Sequence, residues 1–374
     1  MRIGVPTEIK NREYRVGLAP AAVRELVHHG HEVLVQTGAG EAIGMSDAAY
    51  AAAGAKLIAD PAEIFAKAGM IVKVKEPQPA ECRMLHPGQV LFTYLHLAPD
   101  PEQTELLMKS GCTAIAYETV TDAEGHLPLL APMSEVAGRM SIQAGAHHLE
   151  KNQGGRGVLL GGVAGVAPGK VVVLGGGVAG SNAARVAAGL GADVTVVEKS
   201  VPRLRHLDEI FGGRVKTVYS TADAVETLLT DADLVIGSVL IPGASAPKLI
   251  PRALLKRMQP GSVVVDIAID QGGCLDTSRP TTHDDPTFVV DGVIHYCVAN
   301  MPGALARTST LALNHATLPY ALALADKGWK QALADDAGLR KGLNVHEGRI
   351  TFKAVAEALH READFASPDA ICRL

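Results

Sequence analysis

The segment 170–198 constrains the fold more than any other part of the chain. An apolar run, KVVVL, leads into Gly175, Gly177 and Gly180, which have the spacing G-x-G-x-x-G, and good helix formers follow. A second apolar run then ends in an acid, Glu198. This order of strand, glycine turn, helix and strand is typical of a βαβ unit that binds a dinucleotide.

Each glycine is expected to have a separate role in that turn. Gly175 permits the tight turn, Gly177 lets a pyrophosphate approach the backbone, and Gly180 lets the helix pack closely on the strand. The unpaired N–H groups at the start of the helix favour the negative charge of the phosphates. The segment is therefore predicted to bind a dinucleotide.

The side chains after the second strand bear on the choice of dinucleotide. A carboxylate at Glu198 can accept hydrogen bonds from ribose hydroxyls and would repel a 2′-phosphate, which favours NAD over NADP. Lys199, Arg203 and Arg205 follow closely and weaken this preference, because they could neutralise a phosphate.

The pentapeptide GGVAG at 176–180 also occurs earlier, at 161–165. The earlier copy does not complete the G-x-G-x-x-G frame, and Pro168 stands where the following helix would have its first turns. Helix interiors exclude proline. The earlier copy is therefore predicted to be a loop or hairpin that leads into the strand at 170–174.

Strand and helix patterns alternate in two series, which predicts two α/β domains with mostly parallel sheets. A chain of 374 residues also favours two domains. Strands are predicted at 2–6, 31–36, 70–75, 90–96, 113–118, 170–174, 193–198, 214–219, 233–237, 262–267 and 294–298. Helices are predicted at 19–30, 61–69, 100–111, 132–152 and 305–325, and the chain beyond 303 is expected to be helical or loop-like to its end.

The position of the glycine turn halfway along the chain implies an inserted domain. We expect a doubly wound, Rossmann-like nucleotide domain at 129–306. It interrupts a second Rossmann-like domain, formed by 1–128 and 307–374, which would carry the substrate. The long helices predicted near 132–152 and 305–325 would join the two.

Composition and charge exclude several classes of function. The net charge of -5 leaves no basic footprint for nucleic acid. The five cysteines show no CxxC spacing, which argues against a disulfide framework and a structural zinc site. The first residues contain no apolar signal core. The apolar stretch 158–180 is broken by glycines and by Pro168, so a membrane span is not expected and the cytoplasm is the expected location.

Three side chains of the first domain are candidates for chemistry on a substrate. Arg15 precedes a helix, and its guanidinium could form two parallel hydrogen bonds to a carboxylate, or simply a surface salt bridge. Lys75 is placed at the end of a predicted strand, where α/β domains bind ligands, although Lys73 offers the same group. His96 also ends a predicted strand, and an imidazole can transfer a proton near neutral pH.

The nucleotide domain offers a further candidate, Asp270, which follows a strand and precedes two glycines. Asp266 lies nearer the middle of that strand and is expected to serve structure. Asn300 and Pro302 lie in the stretch 295–303, which would lie beside the nicotinamide half of the cofactor.

Phrases spread over the whole chain resemble the alanine dehydrogenase family. They are MRIGVPTEIKNREYRVGLAP, KVKEP, LFTYLHLA, YETV, PLLAPMSEVAGRMS, GVAPGKVVVLGGGVAG, VDIAIDQGG and HYCVANMPGALARTST. The resemblance implies two α/β domains joined by long helices and a homo-hexamer. It also implies reversible, NAD-dependent conversion of L-alanine to pyruvate, ammonium and NADH, with no metal.

The resemblance also assigns roles to individual residues. It implies that Arg15 and Lys75 bind the substrate and that His96 and Asp270 are the catalytic pair. One departure is visible, because many members have Asp where this chain has Glu198. The implied cofactor contacts are Met133, Ser134, Gly175, Gly177, Val178, Ala179, Gly180, Glu198, Arg203, Ser220, Val239, Leu240, Ile267, Asp270, Arg279, Val298, Asn300 and Met301.

Two other functions remain open at this point. The first is the soluble hydride-transfer domain of a proton-translocating transhydrogenase, which resembles this fold and would use two nucleotides. The second is a non-catalytic NAD-binding protein on the same scaffold, because a fold alone does not fix a function. Secondary substrates such as serine, 2-aminobutyrate or glyoxylate also remain open.

Overall fold

The computed structural model describes residues 1–239 and 246–372. The chain divides into two compact units, one formed by Met1–Met133 with Leu305–Leu374 and the other by Ser134–Ala304. The domain limits predicted from the sequence are 128/129 and 306/307. The strands are β1 Arg2–Val5, β2 Glu32–Gln36, β3 Lys56–Ile58, β4 Met70–Val72, β5 Val90–Thr93, β6 Thr113–Ala116, β7 Lys170–Leu174, β8 Asp193–Glu198, β9 Lys216–Tyr219, β10 Leu234–Gly237, β11 Val263–Asp266, β12 Thr287–Val290, β13 Val293–Tyr296, β14 Leu343–His346 and β15 Arg349–Ile350.

Most helices among the described residues are short, but two of the helices contain 18 and 22 residues. Proline occupies the first helical turn of α1, α3 and α5, where its missing N–H costs nothing. The helices are α1 Pro20–His28, α2 Asp47–Ala52, α3 Pro61–Lys67, α4 Pro79–Cys82, α5 Pro101–Ser110, α6 Ala131–His148, α7 Val178–Gly189, α8 Val201–Phe211, α9 Ala222–Thr230, α10 Arg252–Leu255, α11 Ala306–Lys327, α12 Trp329–Asp335, α13 Ala337–Arg340, α14 Lys353–Ala358 and α15 Pro368–Ile371. Among the described residues, no helix is both long and apolar enough to span a bilayer.

The first unit contains a sheet whose strand order, within the described residues, is β15-β14-β6-β5-β4-β1-β2-β3. The strands from β6 to β3 are parallel, and the order reverses between β1 and β4. In open α/β sheets, ligands bind outside the carboxyl ends of the strands at such a reversal. Strand β14 pairs antiparallel with β6 and extends the sheet.

Both faces of this first sheet are covered, as the alternating strand residues require. Val33 and Val35 of β2 pack into a cluster with α1 and α11, whereas Leu34 packs into a cluster with α3 on the opposite face. Parallel strands that are buried on both faces give near-continuous apolar runs in the sequence. The first unit is therefore doubly wound.

The second unit contains a sheet with the order β12-β13-β11-β10-β7-β8-β9 among the described residues. All its strands are parallel except β12, which pairs antiparallel with β13. The order reverses between β7 and β10. The predicted α/β fold with two mostly parallel sheets is therefore confirmed.

Three local predictions need comment. The early GGVAG copy forms a turn in which Val163 and Val166 pair as an antiparallel bridge, so the prediction of a loop or hairpin is confirmed. The prediction that the chain is only helical or loop-like beyond 303 is wrong, because β14 and β15 join the first sheet. The predicted strands at 70–75 and 90–96 are too long, because β4 ends at Val72 and β5 ends at Thr93.

Candidate active site

The glycine turn of the second unit has the geometry that its spacing predicts. Gly175 has a φ of +96°, in the left-handed region that favours glycine. A Cβ at Gly180 would overlap the carbonyl oxygen of Gly175 and lie 2.7 Å from the Ser238 hydroxyl, so the helix packs tightly on the turn. At Gly177, the N-cap of α7, an added Cβ would meet nothing within 4 Å. The space above Gly177 and the amides of α7 therefore suit a pyrophosphate group.

Glu198 is the last residue of β8, and its carboxylate ties the glycine turn to the following loop. One oxygen accepts the N–H of Gly176 at 2.8 Å, and the other accepts the N–H groups of Lys199 at 2.7 Å and Ser200 at 2.9 Å. Arg203 approaches the same turn and donates from Nε to the Gly176 carbonyl at 2.5 Å. Glu198 thus lies beside the glycine turn.

The other residues implied as cofactor contacts follow the strand ends of this sheet. Because the strands are parallel, their carboxyl ends share one edge. That edge carries Gly175 after β7, Glu198 at the end of β8, Ser220 after β9, Val239 after β10, Ile267 after β11 and Val298 after β13. Val178 and Ala179 begin α7, Met301 is buried in a 3₁₀ turn, and Leu240 lies outside the described residues.

Two aspartates near β11 differ in their surroundings. Asp266 is fully buried and accepts hydrogen bonds from the N–H of Cys274 at 2.9 Å and the hydroxyl of Ser278 at 2.6 Å. Burial raises the pKa of Asp266 above its usual range. Asp266 is the last residue of β11 rather than near its middle, and it holds the loop that follows. Asp270 is exposed in the 3₁₀ segment Ile267–Gln271 and faces solvent in this unit.

Asn300 and Arg279 are two further candidate residues of the second unit. Asn300 adopts a left-handed φ of +63°, and its carbonyl accepts the N–H of Gly303. Strained backbone of this kind is concentrated at functional sites. Arg279 is exposed and its guanidinium lies 4.1 Å from the ring centre of Phe288. Arg279 therefore contacts strand β12.

In the first unit, Arg15 is buried rather than on the surface. Its side chain is 2% exposed and forms two parallel hydrogen bonds to Glu13, from Nε at 2.7 Å and from Nη2 at 2.6 Å. The third nitrogen, Nη1, donates to the thioether of Met133 at 3.2 Å, and sulfur is a weak acceptor. Burial alone would lower the pKa of Arg15, but the hydrogen bonds and charge of Glu13 raise it.

Lys73 and Lys75 have different environments, which separates two candidates that the sequence leaves equal. Lys73 is fully buried and bonds to both Glu8, at 3.0 Å, and Glu81, at 2.7 Å. Burial raises the pKa of Glu8, although the Lys73 charge opposes it. Lys75 lies in the loop after β4, and its ammonium is 3.3 Å from Glu76. Lys73 is therefore structural, and Lys75 remains the candidate for a ligand.

His96 also lies in a loop, three residues beyond the end of β5. Its φ is +50°, and its side chain is 43% exposed. The imidazole stacks on Tyr94 with ring centres 5.7 Å apart and planes 9° apart. Burial raises the pKa of the Tyr94 hydroxyl although the Arg15 charge opposes it, so the phenol lies within the electrostatic reach of Arg15.

A cavity of about 270 Å³ opens beside Arg15 in the first unit. Of the three candidate residues of this unit, Arg15 lines the cavity, whereas Lys75 and His96 do not. Lys75 is connected to it through Glu76, which pairs with Lys10 in the lining. The lining residues are Thr7, Glu8, Lys10, Arg12, Glu13, Tyr14, Arg15, Gly38, Ala39 and Ala42.

Sequence reasoning missed the glutamates that hold the candidate residues. Glu13 pairs with Arg15, Glu8 with the Lys73–Lys75 segment, and Glu118 with the loop that carries His96. The proximity of Glu13 to Arg15 in the sequence was a usable signal. Glu8 and Glu118 reach their partners only through strand pairing, so a local pattern does not indicate them.

Comparison with known proteins gives matches over nearly the whole chain. The family model described as "Alanine dehydrogenase/PNT, N-terminal domain" matches residues 4–137, and "Alanine dehydrogenase/PNT, C-terminal domain" matches residues 141–353. The chain is 64% identical to an alanine dehydrogenase of Halomonas elongata, over 97% of this chain and 98% of that protein.

Solved structures give the same result. One titled "L-alanine dehydrogenase" has a TM-score of 0.94 at 53% identity and covers 96% of this chain and 99% of its own. A transhydrogenase from Sinorhizobium meliloti has a TM-score of 0.81 at 24% identity, over 95% of this chain and 100% of its own. At that identity, the second similarity shows the fold alone.

Proposed function

Because the chain belongs to the alanine dehydrogenase/PNT family, we propose that it converts L-alanine reversibly to pyruvate and ammonium, with NAD as the hydride acceptor. The observation that carries the proposal is the buried guanidinium of Arg15, which Glu13 aligns while a weak thioether acceptor faces Nη1. Such a guanidinium is suited to recognise the carboxylate of a small 2-amino or 2-oxo acid.

Arg15 and Lys75 bind the substrate in this proposal. A carboxylate oxygen is a stronger acceptor than the sulfur of Met133, so the substrate carboxylate replaces the thioether at Nη1 of Arg15. The ammonium of Lys75 is a second donor, and it stabilises the oxygen on which charge develops when the carbonyl forms. The pairing of Lys75 with Glu76 keeps that ammonium near its loop.

His96 is the acid and base of the proposed reaction. Oxidation at Cα gives an iminium, and water adds to it as His96 accepts a proton. The resulting carbinolamine collapses to pyruvate and ammonium as the proton returns. Asp270, exposed at the carboxyl edge of the second sheet, is proposed to orient the reacting water.

The family implies a nicotinamide cofactor, and we propose that it is NAD. The residues present fit such a group, because Gly177 leaves open space at the start of α7 and Glu198 lies at the end of β8. When bound, the nicotinamide accepts a hydride from the substrate Cα and returns it in the reverse direction. The carboxylate of Glu198 would repel a 2′-phosphate.

The assembly and location are proposed from the family resemblance alone. We propose a homo-hexamer in the cytoplasm, with L-alanine, pyruvate and ammonium as the small-molecule partners. Neither nucleic acid nor a membrane is a proposed partner.

A reductive amination screen tests the proposed function. Pyruvate, glyoxylate and 2-oxobutyrate are each supplied with ammonium and with NADH or NADPH, and oxidation of the cofactor is followed. Pyruvate with NADH is expected to give the highest kcat/KM. Turnover that needs a second nucleotide instead of a 2-oxo acid would favour the transhydrogenase alternative, and tight NADH binding without turnover would favour a non-catalytic protein.

The role of His96 is tested by His96→Ala, with His126→Ala as the matched control. His126 is an exposed histidine paired with Asp122 at the surface. We expect His96→Ala to lower kcat by about 10²–10⁴-fold, the usual contribution of a general acid–base. Full turnover of His96→Ala from about pH 6 to 10 would refute the assignment, since His96 is the proposed proton carrier over that range.

A further inference from the structure

Glu118 lies beside the His96 loop because of the register of two parallel strands. Thr93 at the end of β5 pairs with Ala116 at the end of β6. The residues that follow the two strands therefore leave the sheet side by side. Glu118 is in the 3₁₀ turn Tyr117–Thr119, directly after β6, and its side chain is 14% exposed.

The carboxylate of Glu118 accepts the main-chain N–H groups of this neighbouring loop. His96 N–H donates to Oε1 at 2.6 Å, and Leu95 N–H lies 3.2 Å from both oxygens. The imidazole is farther away, with 4.0 Å between Nδ1 and Oε1. Glu118 therefore holds the backbone of His96 more closely than it holds the ring.

The backbone that Glu118 holds is in a conformation that L-amino acids seldom adopt. His96 has a φ of +50°. Non-glycine residues keep such a φ only when their surroundings fix it. The Glu118 carboxylate is one such restraint. Stacking on Tyr94, whose hydroxyl donates to the Leu129 carbonyl at 2.5 Å, is the other.

A second glutamate repeats this arrangement on the neighbouring pair of strands, β1 and β4. The carboxylate of Glu8, which follows β1, accepts the N–H of Val74 at 2.6 Å and that of Lys75 at 3.4 Å. In both cases, a glutamate that follows one strand fixes the loop after the neighbouring strand. Glu8 is a poor residue for a test, because its removal would leave a buried charge of Lys73 short of one partner. Within the part of the chain that the structure describes, the Glu118 carboxylate contacts only the loop that carries His96.

We propose that Glu118 is a positioning residue for the reaction, which holds the main chain of His96 in its left-handed conformation and so aims the imidazole at the substrate. This inference rests on the proposed role of His96 as the acid and base. In this proposal, Glu118 acts through the hydrogen bond that its oxygen accepts from the His96 N–H. It does not act through an electrostatic effect of its charge on the imidazole.

Three variants of Glu118 test the proposal, with Glu124→Ala as a control at an exposed glutamate. Glu118→Ala removes the acceptor, and we expect kcat to fall by about 10–100-fold, the usual cost of a misplaced catalytic group. The KM for pyruvate is expected to change by less than about twofold, since Arg15 and Lys75 bind the carboxylate. Glu124→Ala is expected to match the wild type.

The two conservative variants separate reach from charge. Glu118→Gln keeps an oxygen at the same distance but loses the charge, and we expect it to restore most of kcat. Glu118→Asp keeps the charge but withdraws the oxygens by one methylene, and we expect a lower kcat than for Glu118→Gln. This comparison also serves if Glu118→Ala does not fold, as judged by its melting temperature.

Three results would overturn the proposal. They are a kcat of Glu118→Ala equal to the wild type, a higher kcat for Glu118→Asp than for Glu118→Gln, or a loss that appears only in KM. The same assays on the wild type and His96→Ala keep the two proposals apart. If His96→Ala loses turnover and Glu118→Ala does not, only the positioning role fails; if His96→Ala keeps full turnover, both fail.

Discussion

Replacing Gly177 by Ala is expected to weaken cofactor binding at least about tenfold without unfolding the protein. Gly177 has a φ of −66° and a ψ of −161°, which alanine adopts without strain, and an added Cβ would meet no protein atom within 4 Å. Alanine is a weaker N-cap than glycine but has less conformational freedom in the unfolded chain. These effects oppose each other, and each is on the order of 0.5–1 kcal/mol, so the free energy of unfolding should change little.

The same methyl group would occupy the space that a pyrophosphate needs. If the phosphates approach the backbone at Gly177, the Cβ displaces them from the amides of α7. Each lost hydrogen bond to a charged group is worth about 1.5–3 kcal/mol. We therefore expect the Kd for NADH to rise by at least about tenfold per bond lost.

Gly180→Ala is the matched control variant, because protein atoms already occupy the position that a Cβ at residue 180 would take. A Cβ would overlap the Gly175 carbonyl oxygen and crowd the Ser238 hydroxyl at 2.7 Å. Overpacking of this kind costs about 1–3 kcal/mol. For a unit of this size, that corresponds to a fall in Tm of roughly 2–12 °C.

The assay combines NADH fluorescence titration with thermal unfolding for both variants. The expected pattern is a raised Kd for NADH with an unchanged Tm for Gly177→Ala, and a lowered Tm for Gly180→Ala. Wild-type affinity in Gly177→Ala would refute the reasoning, since the phosphates would then bind elsewhere. A large fall in Tm for Gly177→Ala would show that the added methyl group clashes with the protein, contrary to the open space at Gly177.

Two further predictions concern the first unit. Arg15→Lys keeps the charge but loses the Nη1 donor proposed to bind the substrate carboxylate, together with the two hydrogen bonds by which Glu13 aligns the guanidinium. The KM for pyruvate in steady-state assays should therefore rise by about 10–100-fold, with a smaller change in kcat; an unchanged KM would remove Arg15 from the substrate site. Burial would raise the pKa of Glu76, but the charges of Lys75 and Lys10 lower it to about 2 in the folded protein. The stabilisation from Glu76 is therefore present above about pH 4.5 and is lost as the pH falls towards 2. Urea unfolding should show that the wild type loses more stability than Glu76→Gln between those two pH values, and parallel losses would contradict the assignment.

The nucleotide half was predictable because its signal is local. Strand, glycine turn and helix follow one another within 170–189, and each glycine has a steric reason that the sequence spacing already contains. The structure bears out the turn at Gly175 and the close packing at Gly180. The early GGVAG copy was also predictable, since Pro168 alone forbids the helix.

The first unit was less predictable, because long-range pairing decides its details. Strand β14 has the sequence LNVH and forms because β6 offers it a partner, not because of its own pattern. Lys73 and Lys75 look equivalent in the sequence, and only the end of β4 at Val72 places one in the core and the other in a loop. Glu118 reaches His96 through the register of β5 and β6, which no local pattern reveals.

The central claim is that a hydride moves directly from the Cα of L-alanine to the nicotinamide. L-alanine labelled with deuterium at Cα is incubated with NAD and the protein, and the reduced cofactor is analysed by mass spectrometry. The account predicts one deuterium in each molecule of reduced cofactor, together with an equal amount of pyruvate. Reduced cofactor without deuterium, or none formed from alanine, would contradict it.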